Sequence, residues 1–397
     1  MRRFLHTSPV GKKRRLIFEQ LETRALLAGN VNVAVNAGEL DITGDAASNS
    51  IQVTQLASGQ WKVTGTATKI NGGNAAFVTT AANPVTGDID IDLGQGNNTL
   101  QMQNGAAPAN VNIGSGSGND VLTVRKVTSN SSVGTISIAA GDGSNVINVN
   151  NVTVPFEISI AGGTNADSIA VSNASTLEFD ISAGNGANAI AVNNASARSM
   201  DILGGANSDS VALNNVSSEK DLEVRLGDGT NALFMNHFSS SDNFVTSITA
   251  GNGRNSIALA NISMVASADG GELSIQTGDG PNSIALTNVS LSGCSLSIST
   301  GNGNDSISLT RVNVPLQDIF INTGAGTDAV TLNAVTCVYL DVYVGPGNFD
   351  TLSIFNTTIT DAGQFEDVGG TNGILIGANN HLTQPPDVIG FAYRIGI

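Results

Sequence analysis

Gly301-Asn302-Gly303-Asn304-Asp305-Ser306-Ile307-Ser308-Leu309 decides the fold, because its pattern returns along most of the chain. The unit G-x-G-x-[ND]-x-φ-x-φ, with φ apolar, starts at Gly94, Gly116, Gly141, Gly163, Gly184, Gly205, Gly227, Gly251, Gly278, Gly301, Gly324 and Pro346, at spacings of 21 to 27 residues. The third position is Gly except at Asn165, Asn207 and Asn348. Asn is one of the few residues besides Gly that enters the left-handed backbone region, so this position is expected to need a positive φ. The fifth position is always Asn or Asp: Asn98, Asp120, Asn145, Asp167, Asn188, Asp209, Asn231, Asn255, Asn282, Asp305, Asp328 and Asp350. Either side chain can bond the local backbone and fix a tight turn.

Strands flank each turn. Apolar residues two apart follow it, as in Ile147/Val149, Ile169/Val171 and Ile284/Leu286, and precede it, as in Ile136/Ile138, Ile158/Ile160 and Leu296/Ile298. A period of two marks a strand with one buried face. A further Asn recurs ten residues after the first Gly, at Asn104, Asn151, Asn173, Asn194, Asn215, Asn261, Asn288 and Asn356. In a stacked coil these would line up at the next corner as a hydrogen-bonded ladder. One coil cannot bury its own apolar edge, so stacking has to supply the stability. The expected fold is therefore all-β: a single-stranded parallel β-helix, or β-solenoid, of about twelve coils capped at both ends. At about 4.8 Å per coil, twelve coils make a rod roughly 58 Å long.

Four regions follow. Residues 1–29 form a basic lead, and 30–93 a variant N-terminal end with strands at Val31–Val35, Leu40–Ile42, Ile51–Val53 and Trp61–Val63. Residues 94–360 carry the repeats. Residues 361–397 lose the register, gain Phe365, Phe391 and Tyr393, and are expected to form a C-terminal cap.

Charge narrows the partners. The 17 basic and 33 acidic residues give −16, but residues 1–29 hold seven of the bases and two of the acids. The remaining 10 bases and 31 acids leave the body of the chain at −21. With no basic patch to displace phosphate counterions, nucleic acid is not an expected partner. No run reaches the roughly 18 to 20 apolar residues of a membrane helix. Cys294 and Cys337, the two cysteines, lie two coils apart in the repeat register. That separation exceeds the ~7 Å Cα distance a disulfide allows, so two separate buried thiols are expected.

The lead contains Leu21-Glu22-Thr23-Arg24-Ala25-Leu26-Leu27-Ala28 behind a basic run. Glu19, Glu22 and Arg24 interrupt the apolar stretch, so it does not read as an ordinary signal peptide. It resembles the LEPR-XLL segment that opens many large exported proteins of planctomycete-type bacteria, with Thr23 where that family usually has Pro. The resemblance implies export, to the cell surface or the extracellular space.

The turn unit itself resembles the RTX, or haemolysin-type, calcium repeat, best at Gly301–Ile307 and Gly324–Val330. RTX arrays repeat every nine residues, whereas here one turn appears per coil, and half of the acidic positions are Asn. The resemblance makes Ca²⁺ a candidate ligand of Asp305, Asp328, Asp120, Asp167, Asp209 and Asp350. The residues themselves also fit a metal-free turn ladder, in which Asn serves as well as Asp. Three functions are carried forward. The first is a structural or adhesive rod without catalytic activity, with cell-envelope or matrix components or polysaccharide as candidate partners. The others are a calcium-binding repeat protein that folds on export and a polysaccharide-acting β-helix enzyme. The scattered histidines His6, His237 and His381 and the lack of a long insertion to wall a cleft weigh against catalysis.

Overall fold

The structure, a computed structural model, describes residues 29–395 apart from 243–244, 268–269, 348 and 370–372. Residues 1–28 of the basic lead, with the LEPR-XLL-like segment, lie outside the described residues. The described residues form an all-β solenoid of about 13 stacked turns, with no helix among them. No helix among the described residues is long and apolar enough to cross a membrane.

Each coil contributes a short strand before the glycine turn and a long strand after it. The short strands stack in register, as Thr135–Ala139, Glu157–Ala161 and Glu178–Ser182 do. The long strands do the same, as in Val146–Thr153, Ser168–Ser175 and Ala189–Ala197. The two stacks face each other across one continuous core in which alternate residues such as Ile158, Ile160, Ile169 and Val171 are buried. Parallel strands paired from coil to coil bury their apolar face only because a like residue lies above and below.

Midway along each long strand the alternation breaks. At Asn104, Lys126, Asn151, Asn173, Asn194, Asn215, His237, Asn261, Asn288, Arg311, Ala334, Asn356 and Asn379 the backbone is left-handed, with φ between 51° and 57°. The ladder skips this position, running from Asn150↔Ser172 directly to Val152↔Ala174. One left-handed residue therefore bends each long strand around a corner. That requirement explains the abundance of Asn there, since Asn enters this region at low cost. The third turn position also behaves as expected. Its φ is positive from Gly96 through Gly303, including Asn165 at 74° and Asn207 at 85°, but not at Gly326.

The N-terminal end departs from the repeat in a way that protects the edge of the stack. Strand β1 (Gly29–Asn36) folds back on β2 (Glu39–Gly44) in antiparallel pairing, and β3 (Ser50–Gln55) does so with β4 (Trp61–Gly65). The β1–β2 loop is Ala37-Gly38, with φ of 50° and 91°, the two left-handed residues of a two-residue type I′ turn. β2 and β3 then pair in parallel with Ile89–Asp92 and Thr99–Ala107 and so form the first coil. Their antiparallel partners cover an edge that would otherwise be open to other chains. Trp61 is buried over Gly105, where an added Cβ would lie 2.2 Å from the indole ring. The same column carries Val127, Val152 and Ala174 in later coils, so Gly105 yields to the cap.

The expected C-terminal cap needs correction. Residues beyond 360 do not leave the stack: Gly363–Asp367 pairs in parallel with Leu340–Val344, and Ile374–Ala378 with Thr351–Phe355. Asp387–Ile389 and Tyr393–Ile395 continue both sheets. The motif was lost, not the register, because period-two strands suffice for stacking while Gly373 stands where the turn column would place Asn or Asp. Cys294 and Cys337 are buried free thiols, and burial pushes the Cys337 thiol up to about 12.

Candidate functional site

Two features gather polar chemistry: the turn column inside the rod and a trough along one corner.

The turn column is a single hydrogen-bonded chain. Each fifth-position side chain accepts from the backbone N–H of its counterpart one coil upstream, as in Asn145 N–H to Asp167 Oδ1 at 2.7 Å and Asp167 N–H to Asn188 Oδ1 at 2.9 Å. The run begins at Asn49, whose N–H donates to Asn98 Oδ1 at 2.9 Å, and reaches Asp350, which accepts from Asp328 at 2.8 Å. Asn231 varies the pattern, donating its N–H to the Arg254 carbonyl and its amide to Asn255. Asn49 escaped the sequence pattern because Asp45 and Ala47 replace the two glycines. Each Asn also donates from Nδ2 to a carbonyl of its own turn, and Asn49, Asn145 and Asn188 donate to a carbonyl of the next coil as well. Asn188 reaches Gly184 O, Gly186 O and Gly204 O at 2.9, 3.1 and 3.0 Å.

An aspartate cannot donate to those carbonyls. All six aspartates of the column are buried, with Oδ1 used as in Asn. Their second oxygens divide into two groups. Asp120 Oδ2 accepts from Ser115 Oγ at 2.6 Å and Asp328 Oδ2 from Thr323 Oγ1 at 2.7 Å. Asp167, Asp209, Asp305 and Asp350 each have an Oδ2 with no hydrogen-bond partner. The residue five positions upstream differs between Asp and Asn coils, although Thr300 donates its hydroxyl to Thr323 O at 2.9 Å and leaves Asp305 Oδ2 without a donor. That residue is Ser115, Gly162, Gly204, Thr300, Thr323 or Gly345 for Asp, but Leu93, Ala140, Ala183, Leu226, Ala250 or Thr277 for Asn. A Cβ at 162 would fall 2.6 Å from Asp167 Oδ2, and one at 204 would fall 2.5 Å from Asp209 Oδ2. An Asp thus needs a hydroxyl donor or a missing side chain beside it.

Burial pushes the carboxyls of Asp167, Asp209, Asp305 and Asp350 above the usual carboxylate range, against the opposing pull of the N–H bonds to Oδ1. Asp328 rises to about 6, chiefly by burial, with the charges of Asp305 and Asp350 adding to it.

The corner Asn positions differ among themselves. Asn215 Nδ2 donates to Asn194 Oδ1 at 2.7 Å, and Asn194 Nδ2 to Asn173 Oδ1 at 3.1 Å. Asn288 donates to Asn261 at 3.1 Å, and Asn261 to Asn236 at 2.9 Å. Asn356 donates to Asn333 at 2.9 Å. Lys126 stands between Asn104 and Asn151 and interrupts the run there.

The metal candidates of the turn column lie one per coil. Among the described residues, three other acidic groups converge: Glu39, Asp41 and Asp90 offer oxygens within 4.8 Å of one another on the outer face of the short-strand sheet. Asp41 and Asp90 are already held by Asn36 and Asn112 amides at 2.6 and 2.7 Å. The signal for them lay in Leu40-Asp-Ile and Ile89-Asp-Ile, whose outward acids align once the two strands pair.

The trough of about 440 Å³ follows the corner where long strands pass into short ones, and three consecutive residues from each of four coils line it: 175–177, 196–198, 217–219 and 239–241. Ser175, Ser196 and Ser217 stack in register, with Ser239 next to Ser217, and Ser196 Oγ donates to Ser175 Oγ at 3.2 Å. A second hollow of about 290 Å³ lies beyond this row, against Asn194 and Asn215. Arg198 and Glu219, on adjacent coils, supply the trough's charges. It borders a core column in which Thr176, Ala197, Ser218 and Ser240 sit between Val154 upstream and Met264 and Leu291 downstream. Thr176 Oγ1, Ser218 Oγ and Ser240 Oγ are buried without a hydrogen-bond partner. No protein-family model, no curated protein and no solved structure matches this chain.

Proposed function

We propose that the chain is a secreted or cell-surface rod of structural or adhesive function, acting without catalysis. The observation that carries this reading is the turn ladder from Asn49 to Asp350, which ties successive coils into one stiff body. No inserted loop wide enough to wall a deep cleft separates the coils, since spacings stay within 21 to 27 residues. The corner trough holds one carboxylate, Glu219, where acid-base hydrolysis of a glycoside calls for two. Uncompensated acidity suits a body that stays apart from its copies and from polyanions. The LEPR-XLL-like lead supports export. Protease treatment of intact producing cells tests the reading. Digestion of the rod while a cytoplasmic marker survives is the expected result. A rod found only in the cytoplasm and protected from protease would end it.

A calcium-stabilised rod is the second reading, favoured by the four buried Oδ2 atoms that lack a donor. An ion that binds only the folded chain raises the melting temperature with its concentration. The expected result for the metal-free ladder is the same melting curve in millimolar Ca²⁺ and in EDTA. A rise of several degrees with Ca²⁺ would select the calcium reading instead.

A further inference from the structure

We propose that the outer face of the short-strand sheet around Phe320, Tyr339 and Tyr343 is a docking surface for an extended, arginine-rich peptide segment of a partner protein. The proposal rests on the adhesive reading for its setting, and on this face alone for its chemistry.

Three observations meet here. The first is where the rings lie. The outward column of the short-strand sheet runs through Asp180, Asp201, Glu223, Ser247, Ser274 and Ser297 before it reaches Phe320. On the next coil Tyr339, Asp341 and Tyr343 alternate with the buried Leu340 and Val342. Phe320 is 37% and Tyr339 40% exposed, in a chain that is 4% aromatic and has three tyrosines. Large apolar side chains grouped on a surface mark places where another molecule binds.

The second is how the rings are held. Phe320 and Tyr343 pair with centroids 5.6 Å apart and planes at 43°, tilted so that neither ring covers the other's face. Tyr343 Oη donates to Gln364 Oε1 at 3.1 Å, and Gln364 Nε2 donates to Glu366 Oε2 at 3.2 Å. Tyr339 Oη donates to Asp361 Oδ2. Both tyrosines are fixed before a partner arrives, which lowers the ordering cost of binding.

The third is charge. Asp318, Asp341, Asp361 and Glu366 act on these rings, and residues 312–397 hold eight acids against one base, Arg394. Burial, and then the charges of Asp341 and Glu366, push the Tyr343 phenol above its ordinary range. The Asp361 hydrogen bond, with the charges of Asp361 and Asp318, does the same for Tyr339. Among the described residues no ion pair reaches these four carboxylates, since both salt bridges belong to Arg225.

Rings beside uncompensated carboxylates suit a cation, which is attracted to the face of an aromatic ring. A guanidinium can lie flat on a ring and fork a carboxylate, whereas an ammonium is a compact, strongly hydrated point charge. Tyr339, Asp341 and Tyr343 recur at every second residue, about 6.6 Å apart on a strand. An extended peptide presents side chains on one face at the same interval. Arginines at its alternate positions would meet ring, carboxylate and ring in turn.

Fluorescence anisotropy of the full-length chain with a labelled peptide of alternating Arg and Ser, at physiological salt, tests the proposal. The arginine peptide is expected to bind about tenfold more tightly than its lysine counterpart of equal charge. Phe320→Ser/Tyr343→Ser leaves the net charge untouched, and should weaken binding about tenfold with an unchanged circular dichroism spectrum. Asp341→Asn, nearly isosteric, should weaken it about fivefold and decides the matter if the ring variant does not fold. Glu157→Gln/Glu178→Gln removes two stacked acids from the same sheet face and should leave binding within about twofold. Equal affinity for the two peptides, or losses that follow the remote acids and not the rings, would mean general attraction to an acidic rod and overturn the proposal. Absence of binding overturns it, as does a preference for a glucosamine oligomer of the same charge, which would assign the face to an amino sugar. None of these outcomes bears on protease accessibility at the cell surface, so the two readings fail separately.

Discussion

Asn188→Ala should cost the rod about 4 kcal/mol of stability, measured by urea titration followed by circular dichroism. The substitution takes away one acceptor and one doubly donating amide. Asp167 N–H loses its partner at 2.9 Å, and Gly184 O, Gly186 O and Gly204 O lose their donor. Each buried group left unpaired costs about 1–3 kcal/mol, and water entering the cavity recovers part of the total. Asn188→Asp separates the two roles. It keeps the acceptor, but turns a second oxygen toward the same carbonyls beside Ala183, which supplies neither hydroxyl nor space. It should therefore destabilise the rod at neutral pH by at least half as much as Asn188→Ala. Asn282→Asp should be the mildest such change, since Thr277 Oγ1 is buried five residues upstream with no partner and can donate. Equal losses for Asn188→Asp and Asn282→Asp would remove the upstream residue from the account.

Acid should stabilise this protein. The folded pKa values of Asp167, Asp209, Asp305, Asp328 and Asp350 are raised above the ordinary 3.8, chiefly by burial. The folded state then holds these protons more tightly than the unfolded one. The stability they contribute is fully present below about pH 3.8 and is lost as pH rises through the folded value, about 6 for Asp328. A shift of that size corresponds to roughly 3 kcal/mol for Asp328 alone. The melting temperature should thus fall between pH 4 and pH 7. General repulsion among surface acids acts in the same direction, so the variants decide. Asp328→Asn and Asp209→Asn should raise the melting temperature at pH 7, change it little at pH 4, and flatten the profile between. A melting temperature that climbs from pH 4 to pH 7 in the parent chain would show that these carboxyls are ionised and compensated in the fold.

The solenoid was legible in the sequence because its turns are local. Gly-x-Gly needs a positive φ at one place, and Asn or Asp two residues later closes the same turn, so nine residues declare each coil. Where the requirement is met from a distance, the reading stops short. Asn49 occupies the column without the glycines, since Asp45 and Ala47 can take that loop at the edge of the stack. The chain beyond residue 360 keeps stacking through Phe365 and Leu375 after its turn marker is gone. The cap's antiparallel pairing depends on Ala37-Gly38, a two-residue loop that resembles many others in a glycine-rich chain. The link between Asp and the residue five positions earlier was present in the letters, but it acquires meaning only once Gly162 and Asp167 are seen to share a space. The trough was the least visible feature, because it forms only where three residues from each of four stacked coils meet.

The left-handed residue at every corner has a consequence for how such a chain changes over generations. Because Asn173, Asn194 and Asn215 bend their coils at the same angle, any one coil can replace its neighbour as a unit. Loss of residues 163–183 would bring Gly162 to Gly184 and set Asn145 beneath Asn188, one amide on another, with every remaining corner unchanged. The reach of the rod can therefore be lengthened or trimmed by whole repeats of about 4.8 Å, a ruler whose divisions are inherited separately from what is displayed along it.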